Sequence, residues 1–253
     1  ETRYFEPNSS PTPVEIGGRL FGVTICEDIW TPEHLPRRLY STNPVETLVA
    51  AGATAILNLS ASPFQIGKAK IREEMIAAQA KKYGVPFFYC NAVGGNDQLV
   101  FDGNSLAIDS AGKTLCRWLG FRESVAMVDD LESAAPVSDI ESLRQALVLG
   151  IRDYAAKCGF RSAVLGLSGG IDSAVVACLA VEALGADKVT GVAMPSPYSS
   201  THSIEDALQL AENLGMTCLK IPIAESFEVF KIQMRPAFGD RTEDATEENM
   251  QAR

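Results

Sequence analysis

The sequence predicts an α/β fold in two successive parts: part of an α-β-β-α sandwich, then part of a doubly wound, Rossmann-like parallel sheet. Three features support this prediction. Apolar runs of strand length alternate with amphipathic stretches of helix length over most of the chain. Between residues 105 and 128 turn residues separate the apolar runs instead, which is typical of antiparallel hairpins. The acidic, proline-containing stretch 129–138 is typical of an interdomain linker.

The first part is expected to contain two βα units followed by hairpin strands. Residues 18–26 rise in hydrophobicity like a central strand, and Gly84 and Pro86 end the longer amphipathic helix. The predicted strands span 18–26, 54–59, 85–91, 105–109, 114–118 and 122–128, and the predicted helices span 43–51 and 66–82. Residues 93–103 (VGGNDQLVFDG) are predicted to form a glycine-rich loop.

The second part alternates strands and helices, as a parallel sheet requires. The predicted strands span 163–167, 188–194 and 217–221, and the predicted helices span 139–158, 174–184, 224–235 and 242–253, with one more after the 195–200 loop. The run 163–167 is apolar enough to predict a buried strand. We therefore divide the chain into a domain at 1–128, a linker at 129–142 and a domain at 143–253.

The composition narrows the partners and the compartment. The formal net charge is −10 without a basic footprint, so we expect no nucleic-acid partner, and a phosphate ligand has to be held locally. Six cysteines without a CxxC pair and only two histidines argue against a zinc cluster or a disulfide scaffold and favour a cytoplasmic location. No apolar run has the length of a membrane span, so no membrane partner is expected. The chain starts without a signal peptide or an initiator methionine, and we expect residue 1 to be an internal position.

Residues 161–185 carry the clearest signal of function. An apolar strand runs through Ser168-Gly169-Gly170 into a helix, so several backbone N–H groups and the positive end of the helix dipole point at one place. Such a place binds anions, and the glycines let a phosphate approach the backbone. Asp172 would repel a phosphate unless a divalent cation lies between them, which predicts Mg²⁺. The alternative is an ordinary strand-to-helix turn capped by Asp172 or Ser173.

Cys26 is the second candidate for chemistry. It follows the first long predicted strand, and in open α/β sheets ligand sites collect at this end of the strands. A cysteine on a sharp turn lies exposed near backbone N–H groups, which favours the thiolate and makes Cys26 a candidate nucleophile. The alternative is that Cys26 is a small buried apolar residue, as cysteines often are.

The turn SGGIDS (168–173) resembles the pyrophosphate-binding loop of the N-type ATP pyrophosphatases, and it lacks the Gly-Lys-Ser/Thr of a Walker motif. The first part of the chain resembles the nitrilase, or carbon–nitrogen hydrolase, superfamily, and in detail the glutaminase domain of the glutamine-dependent NAD synthetases. This resemblance covers residues 1–128 and lies in ETRYFEP, GVTICEDIW, NLSASPFQIGK and NAVGGNDQLVFDGNS.

The resemblance implies a Glu-Lys-Cys catalytic set with Cys26 as the nucleophile. It also implies that Ser62 and Lys68 hold the glutamine substrate and that Glu27 occupies the family's acidic position beside the cysteine. The family's general-base glutamate and its catalytic lysine precede the point where this sequence begins. Because each such group contributes ~10²–10⁴-fold to the rate, we expect negligible glutaminase activity from the segment alone.

The second part resembles the synthetase domain of the same family over residues 143–253, through LGLSGGIDSAVVACLAVEALG, GVAMPSPYSS, SIEDA and TEENMQAR. The resemblance implies that ATP is bound by Gly166, Leu167, Ser168, Gly169, Gly170, Ile171, Asp172, Ser173 and Met194. It further implies Mg²⁺ at Asp172, the adenine near Met194, and deamido-NAD at Asn249 and Arg253. Taken without the resemblance, Met194 is a core residue and Arg253 a solvated charge.

The function implied by the resemblance is the ATP-dependent amidation of deamido-NAD to NAD with ammonia released from glutamine. The reaction passes through an adenylated intermediate and yields AMP and pyrophosphate. The chain would be an internal segment of this ligase, with ATP and Mg²⁺ as cofactors, small-molecule substrates as partners, and a homo-oligomeric assembly. Two alternatives stay open: another glutamine-dependent ATP pyrophosphatase amidotransferase, and a non-catalytic nucleotide-binding module.

Overall fold

The computed structural model describes residues 6, 8, 10–31, 42–130, 132–239 and 246–247. Asn249 and Arg253 lie outside these ranges, as does the predicted helix 242–253 except for residues 246–247, which are helical. Contacts divide the chain into two compact units, Glu1–Asp153 and Tyr154–Arg253. This division falls inside a helix, Asp139–Cys158, and does not coincide with the expected domain start at residue 143.

The first unit contains a mixed sheet and a separate hairpin. Its strands are β1 (Val14–Ile16), β2 (Arg19–Ile25), β3 (Ala55–Ser60), β4 (Phe87–Asn91), β5 (Val93–Asn96), β6 (Leu99–Asp102), β7 (Leu106–Ile108) and β8 (Thr114–Arg117). The six-stranded sheet has the order β1-β2-β3-β4-β7-β8. Strands β2, β3 and β4 are parallel, as the predicted βα units require, and β7 and β8 form the predicted antiparallel pair.

Two helices join the parallel strands. Helix α1 (Pro44–Ala50) begins at Asn43, whose side chain accepts a hydrogen bond from the Glu46 N–H, and helix α2 (Lys68–Tyr83) ends at Gly84 in the left-handed conformation. Both helices contribute apolar side chains to a fully buried core with the sheet. This core contains Ile29, Val45, Leu48, Ala53, Ile56, Met75, Ile76, Ala80, Val85, Phe87, Tyr89, Leu106 and Ile108.

The prediction of a glycine-rich loop at 93–103 is wrong, because this stretch forms the β5–β6 hairpin. Its glycines serve a close approach to helix α3 (Asp139–Cys158). The Gly95 N–H donates to the Asp153 carboxylate at 2.7 Å, and a Cβ on Gly95 would lie 3.2 Å from the Cα of Gly150. Small residues on both sides therefore let the hairpin pack directly on the helix backbone.

The prediction of a strand at 122–128 is also wrong. Residues 123–127 are irregular and a short 3₁₀ turn follows at Val128–Asp130. Such a strand would have to pair with the edge of β8. At this edge the Arg117 carbonyl accepts instead from the Ala134 N–H at 2.9 Å. A strand at this place would lack a free partner edge for its backbone N–H and C=O groups.

The second unit is a three-stranded parallel sheet with helices. Its strands are β9 (Ala163–Gly166), β10 (Val189–Ala193) and β11 (Thr217–Lys220), and its helices beyond α3 are α4 (Ile171–Leu184), α5 (Thr201–Leu214) and α6 (Ala224–Phe238). Strand β10 lies between β9 and β11. The buried core is built largely of alanines from α4 and α5, together with Leu167, Val189 and Met216. The α/β class predicted for both parts is confirmed.

Strand β9 differs from its prediction as a buried strand. It lies at the edge of the described sheet, and its Val164 side chain is 72% exposed. Helix α4 also begins three residues earlier than predicted, at Ile171, with Gly170 as its N-cap. The capping role considered for Asp172 or Ser173 is therefore wrong, and both residues lie in the first turn of the helix.

Candidate active site

Cys26 lies at the carboxyl end of β2, on a sharp turn. It adopts the left-handed conformation with φ +46°, which is uncommon for a residue other than glycine, and it opens a 3₁₀ turn over Cys26–Ile29. The turn is closed by a hydrogen bond from the Ile25 N–H to the Asp28 carboxylate at 2.8 Å. Cys26 is only half-buried, so it is not the small core residue that the alternative interpretation required.

Buried side chains from distant parts of the chain hold this turn in place. The Gln79 amide of helix α2 donates to the Ile29 carbonyl at 2.6 Å. The Asn58 amide of β3 donates to the Thr24 hydroxyl at 3.0 Å and to the Cys26 carbonyl at 3.5 Å. Because buried polar groups are costly when unpaired, these bonds favour one conformation of the turn that carries the thiol.

Ser62 follows β3, the parallel neighbour of β2, so the strand ends that precede Ser62 and Cys26 share one edge of the sheet. Ser62 is 3% exposed. Its N–H donates to the Asn91 Oδ1 at 2.8 Å, and its carbonyl accepts from the Asn91 Nδ2 at 3.3 Å. One carboxamide thus engages both backbone polar groups of the residue predicted to hold glutamine.

A buried ion pair lies behind Ser62. The Arg72 guanidinium pairs with the Asp102 carboxylate, and both side chains are almost completely shielded from solvent. Burial alone would lower the pKa of Arg72, but the Asp102 carboxylate outweighs it and raises that pKa. The Asp102 carboxylate also accepts from the Asn104 amide at 2.6 Å, and Arg72 donates to the Ser62 carbonyl at 3.4 Å.

Lys68 opens helix α2 beside this network. Its ammonium donates to the Pro63 carbonyl at 3.3 Å and lies 5.6 Å from the centre of the Trp30 ring. Burial lowers the pKa of Lys68, and the nearby Arg72 cation lowers it further. The negative charge of Asp102 acts in the opposite direction on the Lys68 pKa, and Cys26 and Glu27 add smaller contributions of the same sign.

The turn at 166–173 is organised by its own atoms. The Ser168 and Ser173 hydroxyls lie 3.1 Å apart, and the Ser173 hydroxyl donates to the Gly170 carbonyl at 3.0 Å. The N–H groups of Ser168 and Gly170 donate to serine hydroxyls only at 3.3 Å. The donors of these long bonds lie exposed at the N-terminus of α4. A bound anion can accept from the same N–H groups at shorter distances.

Gly169 is fixed as a glycine by its surroundings. Its φ is +74°, and a Cβ at this position would lie 2.3 Å from the Ser203 carbonyl oxygen. The turn therefore packs against the first turn of helix α5, which begins at its N-cap Ser200. Two helix N-termini consequently approach each other at this turn, and their dipoles both favour negative charge.

The remaining predicted residues fall in different places. Asp172 is exposed in the first turn of α4. Met194 is 48% exposed, so it is not a core residue, and its Cε would lie 3.4 Å from a Cβ on Gly166. Leu167 is buried under the turn, where its side chain packs in the core rather than facing a ligand. Within the described ranges no group of three acidic, histidine or cysteine residues could hold a metal ion by itself.

Several buried polar residues behind the Cys26 turn and Ser62 were not among the predicted site residues. These are Asn58, Arg72, Gln79, Asn91 and Asp102. A signal was present for two of them, because Asn58 and Asn91 interrupt otherwise apolar strands and had to be satisfied by hydrogen bonds when buried. Separately, none of the helices in the described part of the chain has the length and apolar character needed to cross a membrane.

Comparison with known families gives a match to each part of the chain. The carbon-nitrogen hydrolase family matches residues 1–136, and the NAD synthase family matches residues 143–253. The chain is 46% identical to the glutamine-dependent NAD(+) synthetase of Synechocystis sp. and 39% identical to that of Thermotoga maritima, in each case over 100% of the chain. It covers 47% and 50% of these two proteins, so it spans about half the length of the curated relatives it matches.

Solved structures agree with these matches. The glutamine-dependent NAD+ synthetase from Acinetobacter baumannii, in complex with adenosine diphosphate, superposes with a TM-score of 0.89 at 36% identity, covering 99% of this chain and 48% of that one. A glutamine-dependent NAD(+) synthetase from Cytophaga hutchinsonii gives a TM-score of 0.74 over 94% of this chain and 44% of that one. At 21% identity the second likeness concerns the fold alone.

Proposed function

The chain belongs to the carbon-nitrogen hydrolase family and continues into an NAD synthase match, and from this premise we propose that it is an internal segment of a glutamine-dependent NAD synthetase. The proposed reaction is the ATP-dependent amidation of deamido-NAD to NAD, with ammonia released from glutamine. The order of the two matched families and the full coverage of the chain by the named relatives support this assignment. We also propose the domain limits 1–128 and 143–253, with 129–142 as the linker.

The first half-reaction uses the Cys26 turn. The Cys26 thiolate attacks the side-chain amide carbon of glutamine, the C–N bond breaks, ammonia leaves, and water hydrolyses the thioester to release glutamate and restore the thiol. The left-handed turn, braced by Gln79, supports this role because it holds a half-buried thiol in one conformation. Ser62, Lys68 and Glu27 would hold the substrate, with the Lys68 ammonium suited to a carboxylate.

The second half-reaction uses the turn 166–173. A carboxylate oxygen of deamido-NAD attacks the α-phosphorus of ATP, pyrophosphate leaves, and ammonia then displaces AMP from the adenylated carboxyl to give the amide. The backbone N–H groups of Ser168 to Ser173 would hold the phosphates, with Met194 beside the adenine. The single observation that carries the proposal is this exposed turn, closed by long hydrogen bonds among its own serines at the start of α4.

Asp172 fits a role in holding Mg²⁺. Its carboxylate is exposed in the first turn of α4, and the neighbouring serine hydroxyls supply further oxygen ligands of the kind that Mg²⁺ prefers. When bound, Mg²⁺ would offset negative charge on the phosphates as pyrophosphate leaves. Asn249 and Arg253 remain proposed contacts for deamido-NAD. A cytoplasmic location and a homo-oligomeric assembly stay predictions.

Product analysis tests this function. A protein of the relatives' full length that carries this segment, supplied with ATP, Mg²⁺, deamido-NAD and glutamine, should form NAD, AMP, pyrophosphate and glutamate in equal amounts. Formation of ADP and phosphate, or of an amide only from another acceptor acid, would favour a different ligase. Absence of any product together with absence of ATP binding would favour a non-catalytic module.

A further inference from the structure

We propose that Asn91 is a positioning residue for glutamine, which sets the binding geometry of Ser62 and Lys68 without touching the substrate. This inference rests on the proposed function of the Cys26 site. Asn91 ends strand β4, next to β3 in the sheet, and is 5% exposed. Both polar atoms of its amide are engaged by protein backbone groups, so it acts on a ligand through the residues it holds.

Asn91 holds the Ser62 backbone through hydrogen bonds to both its N–H and its carbonyl, an arrangement that we call the bracket around Ser62. Its Oδ1 accepts from the Ser62 N–H at 2.8 Å, while its Nδ2 donates to the Ser62 carbonyl at 3.3 Å and to the Gly103 carbonyl at 3.0 Å. Only a carboxamide offers an acceptor and a two-proton donor on one planar group without carrying a charge. With the backbone of Ser62 held from both directions, its hydroxyl is the group that would face glutamine.

The buried ion pair of Arg72 and Asp102 is hydrogen-bonded to both Asn91 and Ser62. The Asn91 Nδ2 also reaches the Asp102 Oδ1 at 3.4 Å, and Asp102 pairs with Arg72, which donates to the same Ser62 carbonyl at 3.4 Å. Ser62 is thereby connected to a neutralised, buried pair rather than to a lone charge, which would be costly to bury.

Lys68 depends on the same segment. It donates to the carbonyl of Pro63, the residue after Ser62, and the Phe64 N–H donates to the Val100 carbonyl of β6 at 2.7 Å. A shift of Ser62 would therefore move the Pro63 carbonyl and the Lys68 ammonium together. Because these groups bind glutamine before and during the reaction alike, the expected effect is on the KM for glutamine rather than on kcat.

The test measures NAD formation by the full-length protein with glutamine and, separately, with ammonia, for Asn91→Ala. We expect a rise of about tenfold or more in the KM for glutamine, with the ammonia-driven rate within about twofold of wild type. A wild-type protein inactive with both nitrogen sources would count against the proposed function. An active wild type with an unchanged KM in Asn91→Ala would instead overturn the role of Asn91 alone.

Two further variants keep this test decisive. Asn43→Ala is the matched control. Like Asn91, Asn43 is a hydrogen-bonding asparagine of the first unit, but it caps helix α1 and its side-chain hydrogen bonds go to Tyr83 and Glu46. The KM for glutamine of this variant should stay at the wild-type value. Asn91→Asp keeps the volume and the acceptor but places a carboxylate oxygen against the Ser62 and Gly103 carbonyls. It should raise the KM at least as much as alanine does. If Asn91→Ala fails to fold, a wild-type KM in Asn91→Asp overturns the proposal.

Discussion

The two candidate sites both lie where a strand ends, yet they are held together in opposite ways. The Cys26 turn is braced by side chains far away in sequence, such as Gln79, which bonds a carbonyl 50 residues earlier. The turn at 168–173 is closed by hydrogen bonds between residues no more than five positions apart. The first geometry depends on hydrogen bonds across a whole unit, whereas the side-chain hydrogen bonds of the second lie within six residues, and only packing against Ser203 comes from further away.

The difference follows from what each site has to do. A thiol nucleophile needs a fixed position relative to groups from several elements, and buried, hydrogen-bonded polar side chains supply such positions. A phosphate is bound by the N–H groups of the turn itself, and the turn has to stay open to solvent so that the nucleotide can enter. The two sites should therefore respond differently to equivalent substitutions.

The largest expected effect is on the rate of NAD formation with glutamine as the nitrogen source. This rate requires both sites, whereas the rate with ammonia requires only the second. Cys26→Ala in the full-length protein should lower glutamine-driven NAD formation ~10⁴-fold or more, because no other group can form the thioester. Ammonia-driven formation should stay within about twofold of wild type. Steady-state assays with each nitrogen source measure both rates, and a loss of both would contradict the assignment of separate roles.

The next largest expected effect is a difference in stability between two aspartate-to-alanine variants, one near each candidate site. Asp102→Ala should lower the free energy of unfolding by ~3–5 kcal/mol, because it leaves the Arg72 cation buried without its partner. Asp172→Ala should change that free energy by less than ~0.5 kcal/mol, because its carboxylate is exposed.

Urea unfolding of the two variants under identical conditions checks the stability contrast. Calorimetric titration with ATP and Mg²⁺ should show in addition that Asp172→Ala weakens nucleotide binding about tenfold, the size expected for one lost metal contact. Equal losses of stability in both variants would remove the distinction between a braced site and a local one.

Gly169→Ala tests the local geometry of the phosphate turn. The new Cβ would meet the Ser203 carbonyl and would require a left-handed conformation of alanine, so the turn has to shift. We expect ammonia-driven and glutamine-driven NAD formation to fall together by ~10²-fold, as for an active-site displacement of about 1 Å. Gly215→Ala is a suitable control, because Gly215 is also left-handed but has open space around it. A normal rate in Gly169→Ala would show that the turn has no close contact with the chemistry.

The smallest expected effect is a pH dependence at the Cys26 site. Burial and Arg72 lower the pKa of Lys68 below the ordinary lysine value of 10.5, so Lys68 loses its charge at a lower pH than an exposed lysine. The KM for glutamine should therefore rise a few-fold as the pH increases through that lowered pKa. Lys68→Arg keeps its charge and should move this rise to higher pH, as measured by KM profiles. Identical profiles would exclude Lys68 as the group that titrates.

The same contrast explains what the sequence could predict. The strand, turn and helix around residues 168–173 were predicted because the glycines, the serines and the following helix lie within one short stretch, although the helix begins earlier than expected and includes residues 171–173. The bracket around Ser62 was not predicted, because nothing in the sequence shows that Asn91 and Asp102 meet the same residue. Long-range polar contacts of this kind appear only when the sheet order is known.

The errors in the fold have the same origin. Gly94 and Gly95 indicated a loop, but both pair in the β5–β6 hairpin. They are glycines there because helix α3 lies too close for a side chain. Residues 122–128 end in an apolar run of strand length, but the edge of β8 is bonded by Ala134 instead. Local patterns predicted most elements, but they could not show that α3 approaches the hairpin glycines or that Ala134 bonds to the edge of β8.

The most direct measurement of the central claim is a crystal structure of the full-length protein soaked with ATP and Mg²⁺. We expect phosphate oxygens within hydrogen-bond distance of the backbone N–H groups of residues 168–173, with Mg²⁺ between them and the Asp172 carboxylate. A nucleotide bound elsewhere, with this turn empty or filled by a protein side chain, would contradict it.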